Sequence, residues 1–332
     1  MKRRTLVGLA MAATLLAACA GGAAEPTAAP TDEPTVAESV SIGAVTIVSH
    51  PSLDLIYEGI KEGLADAGYI EGENLDIRLE NPQGDQTTLA SIANTLANGD
   101  QDLYVAIATP PAQALAQVIQ DRPIVFASVT DPVSAELVDS MDAPGGNITG
   151  TSDQIPPDQQ LEVMLEILPE LSTLGIVYSS AEVNAEVQAA GMREVAEAAG
   201  ITVEVSTVIN SSEVYQAAES LDVDAYWVGN DNAVVSAIES IVQVAEANDR
   251  FLFTSDADSV ERGAGASYST DYHAQGLQTA RMIVQILDGA APADVPVEIQ
   301  ESLELTVNPA AAERMGVTLS DEVIAQAANV IE

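Results

Sequence analysis

Cysteine appears once in the 332 residues, so Cys19 has no partner for a disulfide, and no metal-ligand spacing surrounds it. Basic residues are scarce too: 11 Lys and Arg stand against 51 Asp and Glu, for a net charge of −40. Such a surface repels phosphate backbones and anionic headgroups, which excludes a nucleic-acid partner. Aromatic residues make up only 4% of the chain, so any ring that lines a cleft carries more information than usual. Histidine occurs twice, and HExxH, the nucleophile elbow, the P-loop and GxGxxG are all missing. General-base candidates are therefore few, and the scattered carboxylates read as a solvated acidic face rather than catalytic machinery. No enzyme and no cofactor is expected. Beyond residue 4 the only lysine is Lys61. That depletion fits a saline habitat, where salt screens a dense carboxylate surface, and equally an ordinary acidic secreted protein.

The first 40 residues are of a different kind. Lys2-Arg3-Arg4 is a positive n-region, Leu6 to Leu16 is an apolar stretch too short to span a bilayer, and small residues follow. Leu16-Ala17-Ala18-Cys19 resembles a bacterial lipobox, which implies that 1–19 is a lipoprotein signal peptide and that Cys19 becomes the lipidated first residue; the alternative is a plain signal peptide with a chance cysteine. Residues 20–40 are Ala, Pro, Thr and Glu with almost nothing large and apolar, the composition of a disordered tether. No further long apolar run follows, so the rest should be soluble.

With 47% hydrophobic residues the remainder can bury a core in each of two domains. Two stretches share one plan. Asp224-Ala-Tyr226-Trp-Val-Gly-Asn230-Asp231 leads into an apolar-periodic run to Ala247 and then Asp249-Arg250-Phe-Leu-Phe-Thr-Ser255-Asp256. Its echo is Asp102-Leu-Tyr104-Val-Ala-Ile-Ala-Thr109-Pro110, a run to Ile119, and Asp121-Arg122-Pro-Ile-Val-Phe-Ala-Ser128-Val-Thr130-Asp131. Each is a strand, a polar corner, a helix and a second strand, which is a parallel βαβ unit. The strand–helix alternation continues on both sides, so an α/β fold of two doubly wound parallel-sheet lobes is expected. Ligands of such sheets gather at the carboxyl ends of the strands. That singles out Thr109, Ser128, Thr130 and Asp131 in one lobe and Asn230, Asp231, Ser255 and Asp256 in the other, facing each other across a cleft.

Several motifs are similar to the substrate-binding lipoproteins of ABC importers, in the branch related to tryptophan and aromatic amino-acid receptors. They are His50-Pro51-x-Leu53-Asp54, Ala108-Thr109-Pro110-x-Ala112-Gln113, Val129-Thr130-Asp131-Pro132, Pro144-Gly145-Gly146-Asn147-x-Thr149-Gly150, Asp231-Asn232-x-Val234-Val235-Ser236 and Ser259-Val260-Glu261-Arg262-Gly263-Ala264. One corner departs from that pattern, with Gly229-Asn230 where Pro-Thr is expected before Asp-Asn. The resemblance implies a type I periplasmic binding protein fold with hinge strands. Its N-terminal lobe would comprise 41–152 plus 272–292 and its C-terminal lobe 153–271 plus 293–332. It also implies an extracytoplasmic, membrane-anchored monomer that passes a small molecule to an ABC permease.

An amino acid presents three groups, each with its own partner. A carboxylate suits a helix N-terminus, and Thr109-Pro110 has the form of an N-cap and N1 pair, although Thr109 can equally be a cap and nothing more. Ser128 and Thr130 add hydroxyls. An ammonium suits a carboxylate, and Asp231 and Asp256 stand at neighbouring strand ends; Asp231 can also be only a cap, and Asp131, before a proline, reads first as a turn residue. A side chain can be held by His50, Tyr178, Tyr268 or Tyr272. Tyr104, Tyr226 and Trp227 read as core. Gln113, Asp153, Asn184 and Asp271 complete the candidate set. A sugar receptor remains an alternative ligand class, although the cleft is short of rings and arginines. A ligand-responsive regulator with the same core would need a basic helix-turn-helix where this chain has a lipobox and a tether.

Overall fold

The computed structural model describes residues 39–300 and 302–331. The expected signal peptide, the lipidation site Cys19 and the tether as far as residue 38 lie outside the described residues. The chain begins with β1 (Val40–Thr46), α1 (Pro51–Asp66), β2 (Leu75–Glu80), α2 (Gln86–Ala97), β3 (Leu103–Ile107), α3 (Thr109–Val118), β4 (Ile124–Ala127) and β5 (Ile148–Ser152). A second series follows: α4 (Pro157–Ile167), β6 (Thr173–Ser179), α5 (Val183–Ala198), β7 (Thr202–Val208), α6 (Val214–Glu219), β8 (Ala225–Val228), α7 (Asn232–Val235), α8 (Ile238–Ala247), β9 (Phe251–Thr254), α9 (Asp258–Glu261) and β10 (Ala266–Thr270). Then come α10 (Tyr272–Leu287), β11 (Glu298–Ile299), β12 (Leu303–Val307), α11 (Pro309–Arg314), α12 (Asp321–Gln326) and β13 (Asn329–Val330).

The strands form two sheets, ordered β11-β5-β4-β3-β1-β2 and β13-β12-β10-β9-β8-β6-β7. From β2 to β5 and from β7 to β10 the orders match strand for strand, so the echo seen in the sequence extends over the whole of each lobe. Central strands β3, β4, β8 and β9 are buried at every position, because helices cover both faces of a parallel sheet. The echoed residues at the amino ends are structural. Asp102 accepts the Ser41 N–H and Asp224 accepts the Ser172 and Thr173 N–H groups, each tying a strand to its neighbour. Tyr104 and Tyr226 are core residues whose hydroxyls donate to the carbonyls of Leu96 and Ala218.

Three expectations need correction. The apolar run from Asn232 to Ala247 is not one helix: it breaks at Ser236-Ala237 into α7 and α8. Arg262 compensates the break by donating to the freed carbonyls of Val235 and Ser236 while pairing with Glu239. Residues 293–299 do not belong with the second lobe. Val295 and Val297 are buried in the first core, the Thr149 hydroxyl donates to the Val295 carbonyl at 2.7 Å, and β11 pairs with β5, so the last crossing falls between Ile299 and Leu303. Finally, the second sheet is not wholly parallel, since β12 runs antiparallel to β10.

Helix α10 leaves the second sheet and packs along α1 of the first lobe. The approach is close at Gly59 and Gly276: a Cβ on Gly276 would sit 2.3 Å from the Ile56 carbonyl oxygen. This crossing fixes the amino ends of both helices, which carry His50, Ser52 and Tyr272 into the cleft.

Candidate functional site

In each lobe the strand order reverses beside the first strand, at β1/β3 and at β6/β8, and crevices open at the carboxyl ends of the strands there. The two crevices face one another. The loops after β1, β3 and β4 contribute His50, Ala108, Ser128 and Thr130, and the first turn of α1 adds Ser52 and Leu53. The other lobe contributes Asn184, Asn230, Asp231, Asn232, Val235 and Asp256, with Asp153 and Tyr272 from two crossing segments. The cavity between them is tight, about 20 Å³, roughly the room of one water. A second cavity of about 280 Å³, which shares Asn232 with the first, is edged by Asp85, Glu182 and Asn210.

Bonds across the cleft hold the lobes together. Ser52 Oγ, in the first turn of α1, donates to Asp258 Oδ2 at 2.7 Å. Asn230 Nδ2 donates to Asp153 Oδ2 at 2.8 Å, and the Tyr272 hydroxyl donates to Asn230 Oδ1 at 3.3 Å. The departure at Gly229-Asn230 has a local reason. Gln188 Oε1 accepts the Asn230 N–H at 2.7 Å, and a Cβ on residue 229 would lie 2.3 Å from that oxygen.

The electrostatics of the walls are one-sided. Asp153, Asp231 and Asp256 are buried, and no lysine or arginine lines the cavity. Burial is the main reason that all three are harder to ionise than usual. It raises Asp153, lifts Asp256 to about 6, and, helped by the neighbouring Glu182 charge, lifts Asp231 to about 8. His50 moves the other way. Burial, aided by the Arg262 charge, lowers it to about 4, so the imidazole is neutral and offers no fixed cation. Its Nδ1 and the Asn184 Oδ1 are buried without a hydrogen-bond partner.

Nine of the sequence-predicted residues come together here: His50, Ser128, Thr130, Asp153, Asn184, Asn230, Asp231, Asp256 and Tyr272. Their bonds qualify the roles foreseen for them. The Ser128 and Thr130 hydroxyls donate to the two oxygens of Asp153, at 2.7 and 2.8 Å. Asp231 caps α7 through the Val234 N–H and also accepts the Ser179 N–H, while Asp256 accepts from the backbone and hydroxyl of Ser259. Asp231 is therefore both a helix cap and a wall of the cavity, and Asp256 both ties down the first turn of α9 and lines the cavity.

Seven predicted residues lie off the cavity wall. Thr109 is not an N-cap: it is the first residue of α3, the cap is Ala108, and its buried hydroxyl has no partner. The helix end is also poor in donors, because Pro110 and Pro111 have no N–H. Gln113 donates to the Ala135 carbonyl, and Asp131 closes a turn by accepting from Ser134. Ser255 is held inside the second lobe by Gln160 Nε2, which also bonds the Tyr268 carbonyl. The Tyr178 and Tyr268 rings are half-buried against the second core, since side chains at alternate strand positions point to the sheet faces rather than beyond the strand end. Asp271 caps α10 through the Ala274 N–H on the exposed side of the crossing.

Five wall residues escaped the sequence reading: Ser52, Leu53, Ala108, Asn232 and Val235. Leu53, Ala108, Asn232 and Val235 sit in the motifs quoted above, and Ser52 occupies the unspecified position of His50-Pro51-x-Leu53. Ala108, at φ +80°, and Ser128, at φ +57°, share a feature invisible in sequence: both end strands in backbone conformations that side chains disfavour, and both line the cavity.

Against that geometry the comparisons are informative. The family model for ABC transporter substrate binding proteins matches residues 41–331. The chain belongs to that family. It is a family of solute-binding proteins rather than enzymes, acting outside the cytoplasm. A tyrosine-binding protein of Clostridioides difficile is 36% identical over 270 residues, 81% of this chain and 78% of the relative. A crystal structure from Streptococcus pneumonia in complex with L-Trp is 39% identical, with a TM-score of 0.86, covering 89% of this chain and all of the other. The ligand-free, open structure of a Clostridium difficile substrate binding protein is 33% identical over 88% of this chain and 99% of that one, but its TM-score is only 0.67. At similar identity the chain thus superposes far better on the L-Trp complex than on the open form, in keeping with the narrow cavity. No helix among the described residues is long and apolar enough to cross a membrane.

Proposed function

We propose that this substrate-binding protein takes up an L-amino acid with an apolar or aromatic side chain between its lobes and presents it to an ABC permease, as a monomer anchored outside the membrane through Cys19. The observation that carries the ligand class is the cavity wall: three buried carboxylates, no lysine or arginine, and hard-to-ionise acids that a cation would relieve. An α-ammonium is that cation. It would sit among Asp153, Asp231 and Asp256, with the Asp153 oxygens held in place by the Ser128 and Thr130 hydroxyls, while the neutral His50 offers its unpaired Nδ1 to the carboxylate, and Leu53, Val235 and the Tyr272 ring flank the side chain. The similarity to a tyrosine-binding protein and to an L-Trp complex supports an aromatic side chain.

Closure follows from the hinge geometry. Opening at the three crossing segments would break the Ser52–Asp258 and Asn230–Asp153 bonds and admit the ligand, whose burial would then favour the closed form. A thermal-shift panel of amino acids, sugars and nucleosides on the chain from residue 41 onward tests this. A true ligand at about 100 times its Kd should stabilise the fold by roughly 2.7 kcal/mol. Stabilisation by sugars alone would overturn the amino-acid reading.

A further inference from the structure

We infer that Glu182, which edges the second cavity but does not line the carboxylate-walled one, is a positioning residue that turns the side-chain amide of Asn184 so that its oxygen faces the ligand's ammonium. The inference deepens the amino-acid reading and rests on it. Glu182 is a buried carboxylate at the start of α5. It accepts the Asn232 N–H at 3.3 Å, the Asn232 side-chain amide at 2.5 Å, the Ala233 N–H at 3.0 Å and the Asn184 side-chain amide at 3.5 Å. The Asn184 amide also donates to the Asn230 carbonyl at 2.8 Å. With a carboxylate and a carbonyl as its two acceptors, the Asn184 NH₂ has one chemically acceptable orientation, and Oδ1 must point away from both. That oxygen is buried, belongs to a cavity residue, and has no donor in the protein. A buried acceptor left unpaired is costly, and an ammonium entering the cavity supplies the missing donor.

The consequence is selectivity for the amine rather than for the ligand as a whole. In Glu182→Gln the side chain keeps its shape, but the new NH₂ stands either at Oε2, facing the donors of Asn184 and Asn232, or at Oε1, facing the Ala233 N–H; either way the network that holds the Asn184 amide is broken, and only the Asn230 carbonyl still orients it. The test uses three probes on the wild type and on the variant: L-tryptophan, L-tryptophan methyl ester and indole-3-propionate, with the L-tyrosine set in parallel. Ligand-detected NMR competition reaches the weak binders, and a melting curve checks the fold. Glu182→Gln should weaken the two amine-bearing probes about ten-fold and the deaminated acid less than about two-fold. Asn184→Ala, which removes the acceptor itself, should reproduce that pattern and serves if Glu182→Gln does not fold. Equal loss across the three probes would reduce Glu182 to a structural cap, and no loss would remove its role altogether. A wild type that binds neither amino acid would overturn the ligand class first, and this inference with it.

Discussion

Ligand affinity should depend on pH through Asp231, and the direction follows from its surroundings. The carboxylate is buried and accepts the Val234 and Ser179 N–H groups, which favour the ionised form. Burial and the adjacent Glu182, itself raised by burial, outweigh them and move Asp231 from an ordinary 3.8 to about 8. An acid whose pKa rises on folding holds a proton that the unfolded chain has already released. Its contribution to stability is therefore complete below about pH 4 and is lost as pH climbs through 8, at about 1.4 kcal/mol per pH unit. Ligand binding has the opposite sign. An ammonium pairs with the ionised form, so affinity should climb roughly ten-fold per pH unit from 6.5 toward 8 and then level off. Asp256 titrates near 6 and adds its own slope lower down, which is why the window begins above it. In Asp231→Asn both dependences should flatten. At pH 8.5 the variant should bind at least about ten-fold more weakly than the wild type, and the two should converge toward pH 6. Calorimetric titration with L-tryptophan or L-tyrosine at pH 6.5, 7.5 and 8.5, paired with melting curves of the free protein, measures both limbs. A wild-type affinity flat across that window, or an Asn variant with the same slope, would refute the reasoning.

Other perturbations test the frame around the site. Gly276→Ala drives a methyl into the Ile56 carbonyl oxygen and must push α10 away from α1, so thermal unfolding should show a loss of about 1–3 kcal/mol, and binding should weaken as His50 and Tyr272 shift. Gln160→Leu leaves the Trp227 indole N–H without its acceptor and Ser255 and the Tyr268 carbonyl without their donor; destabilisation of about 2–4 kcal/mol is expected, with altered emission from the chain's single tryptophan. Ser52→Ala removes the 2.7 Å bond to Asp258 across the cleft, so small-angle scattering of the ligand-free protein should report a larger radius, with affinity falling a few-fold and the melting temperature nearly unchanged.

Much of the site was legible because strand ends announce themselves. Ser128 and Thr130 after β4, Asn230 and Asp231 after β8 and Asp256 after β9 all follow short apolar runs, and all reach the cavity. The misses have three causes. Sequence marks the residues that can hydrogen-bond at a strand end but not what they bond to. Asp131 and Asp271 look as ligand-competent as Asp231, yet each closes its own turn or helix on an exposed side. Tyr178 and Tyr268 were drawn in because rings are rare, but the pleat turns them onto the sheet faces. Ala108 and Val235 carry no polar signal, and they reach the wall through a strained strand end and a broken helix.

By itself, the order of residues determined two doubly wound lobes, since the period of apolar positions selects strand or helix locally and the doubled Asp102 and Asp224 units require the same arrangement twice. Folding alone decided which carboxylates became difficult to ionise. Strand-end position marks Asp231 and Asp256 in the sequence but not their ionisation, and with Asp153 they acquire raised pKa values only when two strand-end surfaces, far apart along the chain, close over them and exclude water. Desolvation belongs to the assembled cleft, and so does the demand for a cation that it creates.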